Sequence, residues 1–199
     1  MTVALDAFAL ARGPRPCYAR GVVKTAAAMR LRLEQIEVEP GRPRQNTDRM
    51  LARVAAARAD GVDLVAFPEL AVPGCFVGDA WERPAFLREC QACGESLVAA
   101  ADGIVVAFGN VAADPDRRNE DGRVRKYNAL IVAEDRRALA PVASPYPWVI
   151  KTLLPNYRCF DDSRHFCDGR KAAAERGLMP DALVAPVPTS LGRSRCPSR

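Results

Sequence analysis

Apolar positions recur along the chain in patterns that change character several times. Leu31, Leu33, Ile36 and Val38 alternate with polar residues, with one slip, which predicts a strand. Pro40, Gly41 and Pro43 break it. Asn46 or Thr47 can cap a helix running to about Asp60. On that helix Met50, Val54 and Ala57 share one face, widened by Leu51 and Ala55. Gly61 is a natural stop. Residues 62–67 are a short apolar run of the kind found in a strand buried on both faces. A second helix is expected over 84–101, a third strand over 104–108 and a fourth over 127–133. The polar stretch 113–125, with Asp114-Pro115 and Asp121-Gly122, reads as a loop between strands. A proline-rich link, 141–147, leads to Trp148-Val149-Ile150-Lys151. The strand–helix–strand opening favours an α/β layered fold.

The chain's 199 residues are enough for one domain with a real core. Residues 1–28 mix Ala, Arg, Gly and Pro without sustained periodicity. Three readings stand there: a disordered extension, an Arg-rich targeting segment, or translation starting at Met29. The expected organisation is an extension over 1–28, a domain over 29–190 and an irregular tail over 191–199.

The net charge of +5 sits at the ends. Arg12, Arg15, Arg20 and Lys24 against Asp6 leave +3 over residues 1–28, and Arg193, Arg195 and Arg199 add +3 in the tail. The body between is near neutral, so it lacks the basic footprint of a nucleic-acid binder. Charged residues or proline interrupt every apolar run, which argues against a membrane span. Seven cysteines without a convincing secretory signal fit a reduced, cytoplasmic protein. Cys90 and Cys93 form a lone C-x-x-C, and His165 is the sole histidine, a poor ligand set for zinc. Neither a metal nor a cofactor is expected, and the cysteines read as small buried apolar residues.

Two residues stand where chemistry is often placed. Glu69 follows the buried strand and Pro68, and open α/β sheets carry their chemistry at the carboxyl ends of strands. Walled by Phe67, Leu70 and Val72, a carboxylate there would be partly desolvated and suited to act as a general base. The other reading is a surface glutamate just past a strand. Lys151 follows Val149-Ile150, again at a strand end. It is either a cation for a developing oxyanion or a solvated lysine.

The text around Lys151 adds to this. Lys151-Thr152-Leu153-Leu154-Pro155-Asn156-Tyr157 continues through Phe160-Asp161-Asp162-Ser163-Arg164-His165-Phe166. It resembles the lysine motif of the nitrilase superfamily. More narrowly, it resembles the glutaminase domain of glutamine-dependent NAD synthetases. Phe67-Pro68-Glu69-Leu70 with Pro73-Gly74 is similar to the superfamily's glutamate motif, and Tyr127-Asn128-Ala129 to the strand before the lysine segment. The resemblance runs from about Met29 to about Pro188. It implies a nitrilase-like four-layer α-β-β-α sandwich, here incomplete at the C-terminus, and a small-molecule amide substrate, glutamine first. Its partners would be a synthetase domain or a second copy. It implies Glu69 as base, Lys151 as cation and Asp162 as a supporting carboxylate, one methylene shorter than the family's glutamate. A stand-alone amidase, nitrilase or carbamoylase, or an inactive truncated fragment, are the alternatives.

The family's nucleophile is a cysteine at a strand end beyond the lysine, usually followed by acids. Cys159 and Cys167 come too early for that pattern. Cys196 lies in Gly192-Arg193-Ser194-Arg195-Cys196-Pro197-Ser198-Arg199, with no apolar strand before it and no acid after it. A frayed terminus positions a nucleophile poorly. Cys196 is therefore a poor candidate, and the nucleophile is left unassigned. The tail reads as an abrupt stop within a longer protein, and a sheet lacking later strands would leave apolar faces uncovered.

Overall fold

The computed structural model describes residues 2–4, 29–142 and 144–192. Most of the 1–28 segment and the tail from Arg193 lie outside the described residues. Of the former, Thr2–Ala4 forms strand β1, antiparallel to β2 (Arg30–Leu33). Helix α1 (Pro43–Ala59) leads to β3 (Leu64–Ala66), and α2 (Pro84–Ala100) to β4 (Val105–Arg118). Strands β2, β3 and β4 are parallel. The chain then doubles back: β5 (Val124–Glu134) runs antiparallel to β4, with β6 (Arg137–Leu139) and β7 (Val149–Ile150) both on its far edge. Short helices α3 (Asp162–His165) and α4 (Gly169–Ala174) follow.

Helices α1 and α2 pack together on one face of the sheet. Met50, Val54, Leu97, Val106 and Phe108 form the centre of that core. A smaller cluster on the other face joins Tyr127, Tyr146, Ile150, Cys167 and Leu183. The described residues thus supply one helical layer and one mixed sheet of the four-layer sandwich. Cys90, Cys93 and Cys167 are buried, as read from sequence, whereas Cys75 and Cys159 are exposed.

Several boundaries differ from the sequence reading, for physical reasons. The first strand ends at Leu33, after which the chain leaves the sheet toward Pro40 and Gly41. Helix α1 starts earlier than Asn46, with Pro43 in its first turn, where a missing N–H costs nothing. Asn46 has another task. Fully buried, its Nδ2 donates to the Glu39 and Val72 carbonyls (both 2.9 Å), and its Oδ1 accepts from Glu39 N (2.8 Å). This stitches the segment before α1 to the loop after β3. The expected loop over 113–125 is largely strand. β4 and β5 form a long hairpin with Asp114 opposite Arg125, and a tight turn closes it at Gly122, whose φ is 80°. The polar residues there line solvated strand ends. Pro115 sits where the register shifts and no ladder donor is needed.

Candidate active site

Glu69 lies just past the carboxyl end of β3. Phe67 N continues the parallel pairing by donating to Ala107 O (2.9 Å). Pro68 ends it, and the backbone turns with Leu70 at φ 48°. The turn presses onto β4 at Gly109. A Cβ at that glycine would collide with Leu70 N and lie 2.7 Å from Glu69 Cα. Only glycine admits the loop this close. Val72 N then donates to Gly109 O (3.2 Å), which fixes the far side of the turn.

Lys151 extends β7 by one residue. Its N–H donates to Asn128 O on β5 (2.9 Å), so its backbone is part of the sheet edge. Asp162 is the first residue of α3. The three predicted side chains come together: Lys151 Nζ donates to Glu69 Oε1 (2.6 Å) and to Asp162 Oδ2 (3.1 Å). Although it is one methylene shorter than the family's glutamate, Asp162 reaches the amine. Burial alone would lower the pKa of Lys151, but the hydrogen bonds and charges of Glu69 and Asp162 outweigh it and raise the pKa above its ordinary 10.5. The amine is therefore an ammonium held between two carboxylates.

One sequence expectation is corrected. Phe67, Leu70 and Val72 are buried, and Phe67 and Leu70 line the cavities beside Glu69, yet the Glu69 side chain is 53% exposed and less desolvated than expected. Polar partners hold it in place: besides Lys151, Asn128 Nδ2 donates to the same Oε1 (2.6 Å). Among the described residues Oε2 accepts no bond, which leaves it open to a proton. Asn128 and Gly109 escaped the sequence reading as site residues. The available signal was an asparagine inside the apolar strand text of 127–133, where a buried amide needs a polar partner.

The Glu69–Lys151 pair stands on the wall between two cavities. One is an open apolar groove along β5 and β7, lined by Phe67, Leu130, Leu153 and Val184. The other, about 370 Å³, is lined by Cys75, Trp81, Cys159 and Phe160 as well as by Glu69, Lys151 and Asp162. Cys196 lies outside the described residues.

No protein-family model matches the chain. A glutamine-dependent NAD(+) synthetase of Xanthomonas campestris is 36% identical over 143 residues, covering 71% of this chain and 23% of that protein. The Rhodobacter capsulatus protein of that description is 34% identical over 159 residues, covering 79% and 26%. The solved structure of the Acinetobacter baumannii glutamine-dependent NAD+ synthetase, in complex with ADP, superposes with a TM-score of 0.57 at 30% identity, covering 69% of this chain and 23% of that one. The chain is a relative of the glutamine-dependent NAD(+) synthetases. It spans about a quarter of their length. An amidase from Nesterenkonia shares the fold, with a TM-score of 0.56 at 20% identity, and this chain covers 51% of it. The structure of a glutamate-to-glutamine mutant of that amidase shows acrylamide added to its active-site cysteine.

Two of the elements that carry the site are braced from behind. Trp81 and Phe166 pack edge to face, with centroids 5.0 Å apart. Glu82 ties the short 3-10 helix Gly78–Glu82 to α3 and β5: Lys126 Nζ donates to its Oε2 (2.7 Å), Arg123 Nη1 donates to its Oε1 (3.0 Å), and His165 Nδ1 lies 3.3 Å from Oε1. Burial disfavours the ionised Glu82, yet the bonds from Lys126 and His165 and the charges of Lys126 and Arg123 prevail and hold its pKa below 4.5. Because His165 and Asp162 share α3, this network helps fix the carboxylate on Lys151.

Proposed function

We propose that this chain is a carbon–nitrogen hydrolase domain that takes glutamine as its amide and releases ammonia. The observation that carries the reading is Lys151 bridging Glu69 and Asp162 at the wall of a cavity. The names of the synthetase relatives supply glutamine.

Hydrolysis of an amide by this arrangement needs a proton acceptor, a nucleophile and a cation for the oxyanion. Glu69, open at Oε2, accepts the proton of the attacking thiol. The thiolate adds to the amide carbon, and the Lys151 ammonium stabilises the negative oxygen of the tetrahedral intermediate. Glu69 returns the proton to the leaving nitrogen, ammonia departs, and water then hydrolyses the thioester. Asp162 and Asn128 keep the lysine and the glutamate in register for these steps.

The test is ammonia release from glutamine by the purified full chain. Removing the base in Glu69→Gln should lower kcat/KM by about 10²–10⁴-fold. Removing the oxyanion's cation in Lys151→Ala should lower it by about 10²–10³-fold. Absence of turnover with glutamine, combined with turnover of a simple aliphatic amide such as butyramide, would move the reading to a stand-alone amidase. The shared fold with the Nesterenkonia amidase supports that second reading. Absence of turnover with every amide would leave a non-catalytic domain.

A further inference from the structure

We propose that Asn128 decides which oxygen of Glu69 serves as the base, by pinning one and leaving the other to take the proton. The inference rests on the hydrolase reading above, which makes Glu69 a base, and deepens it.

Asn128 lies on β5, opposite Val111 of β4, and is only 3% exposed. It meets the site in two ways. Its side-chain Nδ2 donates to Glu69 Oε1 (2.6 Å), and its backbone carbonyl accepts from Lys151 N (2.9 Å). The backbone bond continues the pairing of Ala129 with Ile150 and of Leu130 with Val149, so the sheet itself carries it. Asp162 reaches the lysine, Gly109 meets the glutamate turn, and Asn128 holds both partners.

The chemistry fixes the orientation of the amide. With its oxygen turned toward Glu69, two acceptors would meet at 2.6 Å, so the nitrogen must face Oε1. Lys151 alone would not tell the two carboxylate oxygens apart. The terminal torsion of a glutamate is soft and close to two-fold, so the carboxylate could turn and offer the ammonium either oxygen. Asn128 removes that freedom. Its amide sits on a short stem from a paired strand and cannot follow a rotating side chain. Lys151 Nζ and Asn128 Nδ2 both bond Oε1 at 2.6 Å. Among the described residues Oε2 accepts no bond, and the proton goes there.

An amide suits this task better than its isostere. It donates a hydrogen bond without giving up a proton, whereas aspartate would set a second carboxylate against Glu69. A buried asparagine needs a polar partner wherever it stands. Here that partner is the base, so burial of the amide and alignment of the site are one contact. Asn128 touches Glu69 and no reacting atom, which makes it a positioning residue.

Infrared spectroscopy of the full chain at neutral pH reads the carboxylate without requiring turnover. The antisymmetric and symmetric stretches of a carboxylate lie far apart when its oxygens are unequally bonded and draw together when they are equal. The Glu69 bands are isolated by subtracting the spectrum of Glu69→Gln in the same background. A wide separation is expected in wild type, and a narrower one in Asn128→Leu, which keeps the bulk and loses the donor. Asn128→Ala should narrow it in the same way, and it serves if the leucine variant does not fold. Ammonia release from glutamine should fall about 10²-fold in kcat through misplacement of the base, with KM barely moved. An unchanged separation in the folded variants would overturn the proposal and leave Asn128 a buried amide that happens to be satisfied. So would a raised KM with kcat kept, since that marks a contact to substrate instead. Narrowed bands in the variants, with no amide turned over even by wild type, would uphold the pinned oxygen and sink the hydrolase reading alone.

Discussion

At the scale of single residues, Glu69 and Gly109 respond to opposite demands. The Glu69 side chain is half exposed and its bonds lie at the surface of the cavity. Replacing it with glutamine keeps the shape and changes the protonation chemistry. Glu69→Gln should shift folding stability by less than about 0.5 kcal/mol, as surface changes usually do, while removing activity. Chemical denaturation followed by circular dichroism would show unchanged midpoints. Gly109→Ala is the converse. Its Cβ would collide with the backbone of residues 69 and 70, which has no soft end to yield. A cost of about 1–3 kcal/mol is expected from the forced backbone shift, along with a displaced Glu69. Asn46→Ala belongs with it, since the half-buried N–H and carbonyl of Glu39 and the buried carbonyl of Val72 lose their partner. The same denaturation experiment should give a loss of about 2 kcal/mol or more.

At the scale of elements, the Glu82 network joins the 3-10 helix, α3 and the start of β5. Lys126 is almost fully buried, so removing its carboxylate partner strands a charge. Glu82→Ala should cost about 3 kcal/mol and loosen Asp162 from Lys151. The sign of the pH dependence follows from the lowered pKa. The contribution of Glu82 is present above its ordinary 4.5 and is lost as pH falls through the lower folded value. Thermal unfolding of Glu82→Gln should therefore fall less steeply than wild type on acidification below about pH 4.5. If the two acid limbs run parallel, the network is not the source.

Much of this level was legible in the chain. The 3.6-residue periodicity marked the first helix because it buries one face. The short apolar run before Pro68 marked β3, and the motif around Lys151 located the lysine and the shorter carboxylate. The third strand was read only to residue 108, and the hairpin from 113 onward was read as a loop, because solvated strand ends carry the same charged and turn-forming residues as a loop. Asn128 and Gly109 were missed for a different reason. Their roles arise from contacts across the sheet, to a residue 59 positions away in one case and to a backbone turn in the other. No local pattern encodes such contacts.

At the scale of the whole molecule, the helical layer covers one face of the sheet, and residues 144–192 cover only part of the other. Leu130, Leu153 and Val184 are 41%, 67% and 49% exposed and line one groove beside Glu69. Scattered apolar residues on a surface are ordinary, but a contiguous set is a surface suited to association. The chain should self-associate at micromolar concentration, and Leu130→Asp together with Leu153→Asp should shift it toward monomer in sedimentation velocity. Unchanged sedimentation would show that the groove is tolerated in water.

The close approach of Gly109 to the Glu69 turn also bears on how the gene can change. A side chain at 109 would be selected against wherever the fold is kept, whatever the protein does. A change at 69 would be selected against only where the reaction is kept, because the carboxylate adds little to folding. The two codons lie in contact yet report on different pressures. Among natural variants of this chain, glycine held at 109 while residue 69 drifts would record a protein retained for its shape. Joint constancy would record one retained for its chemistry.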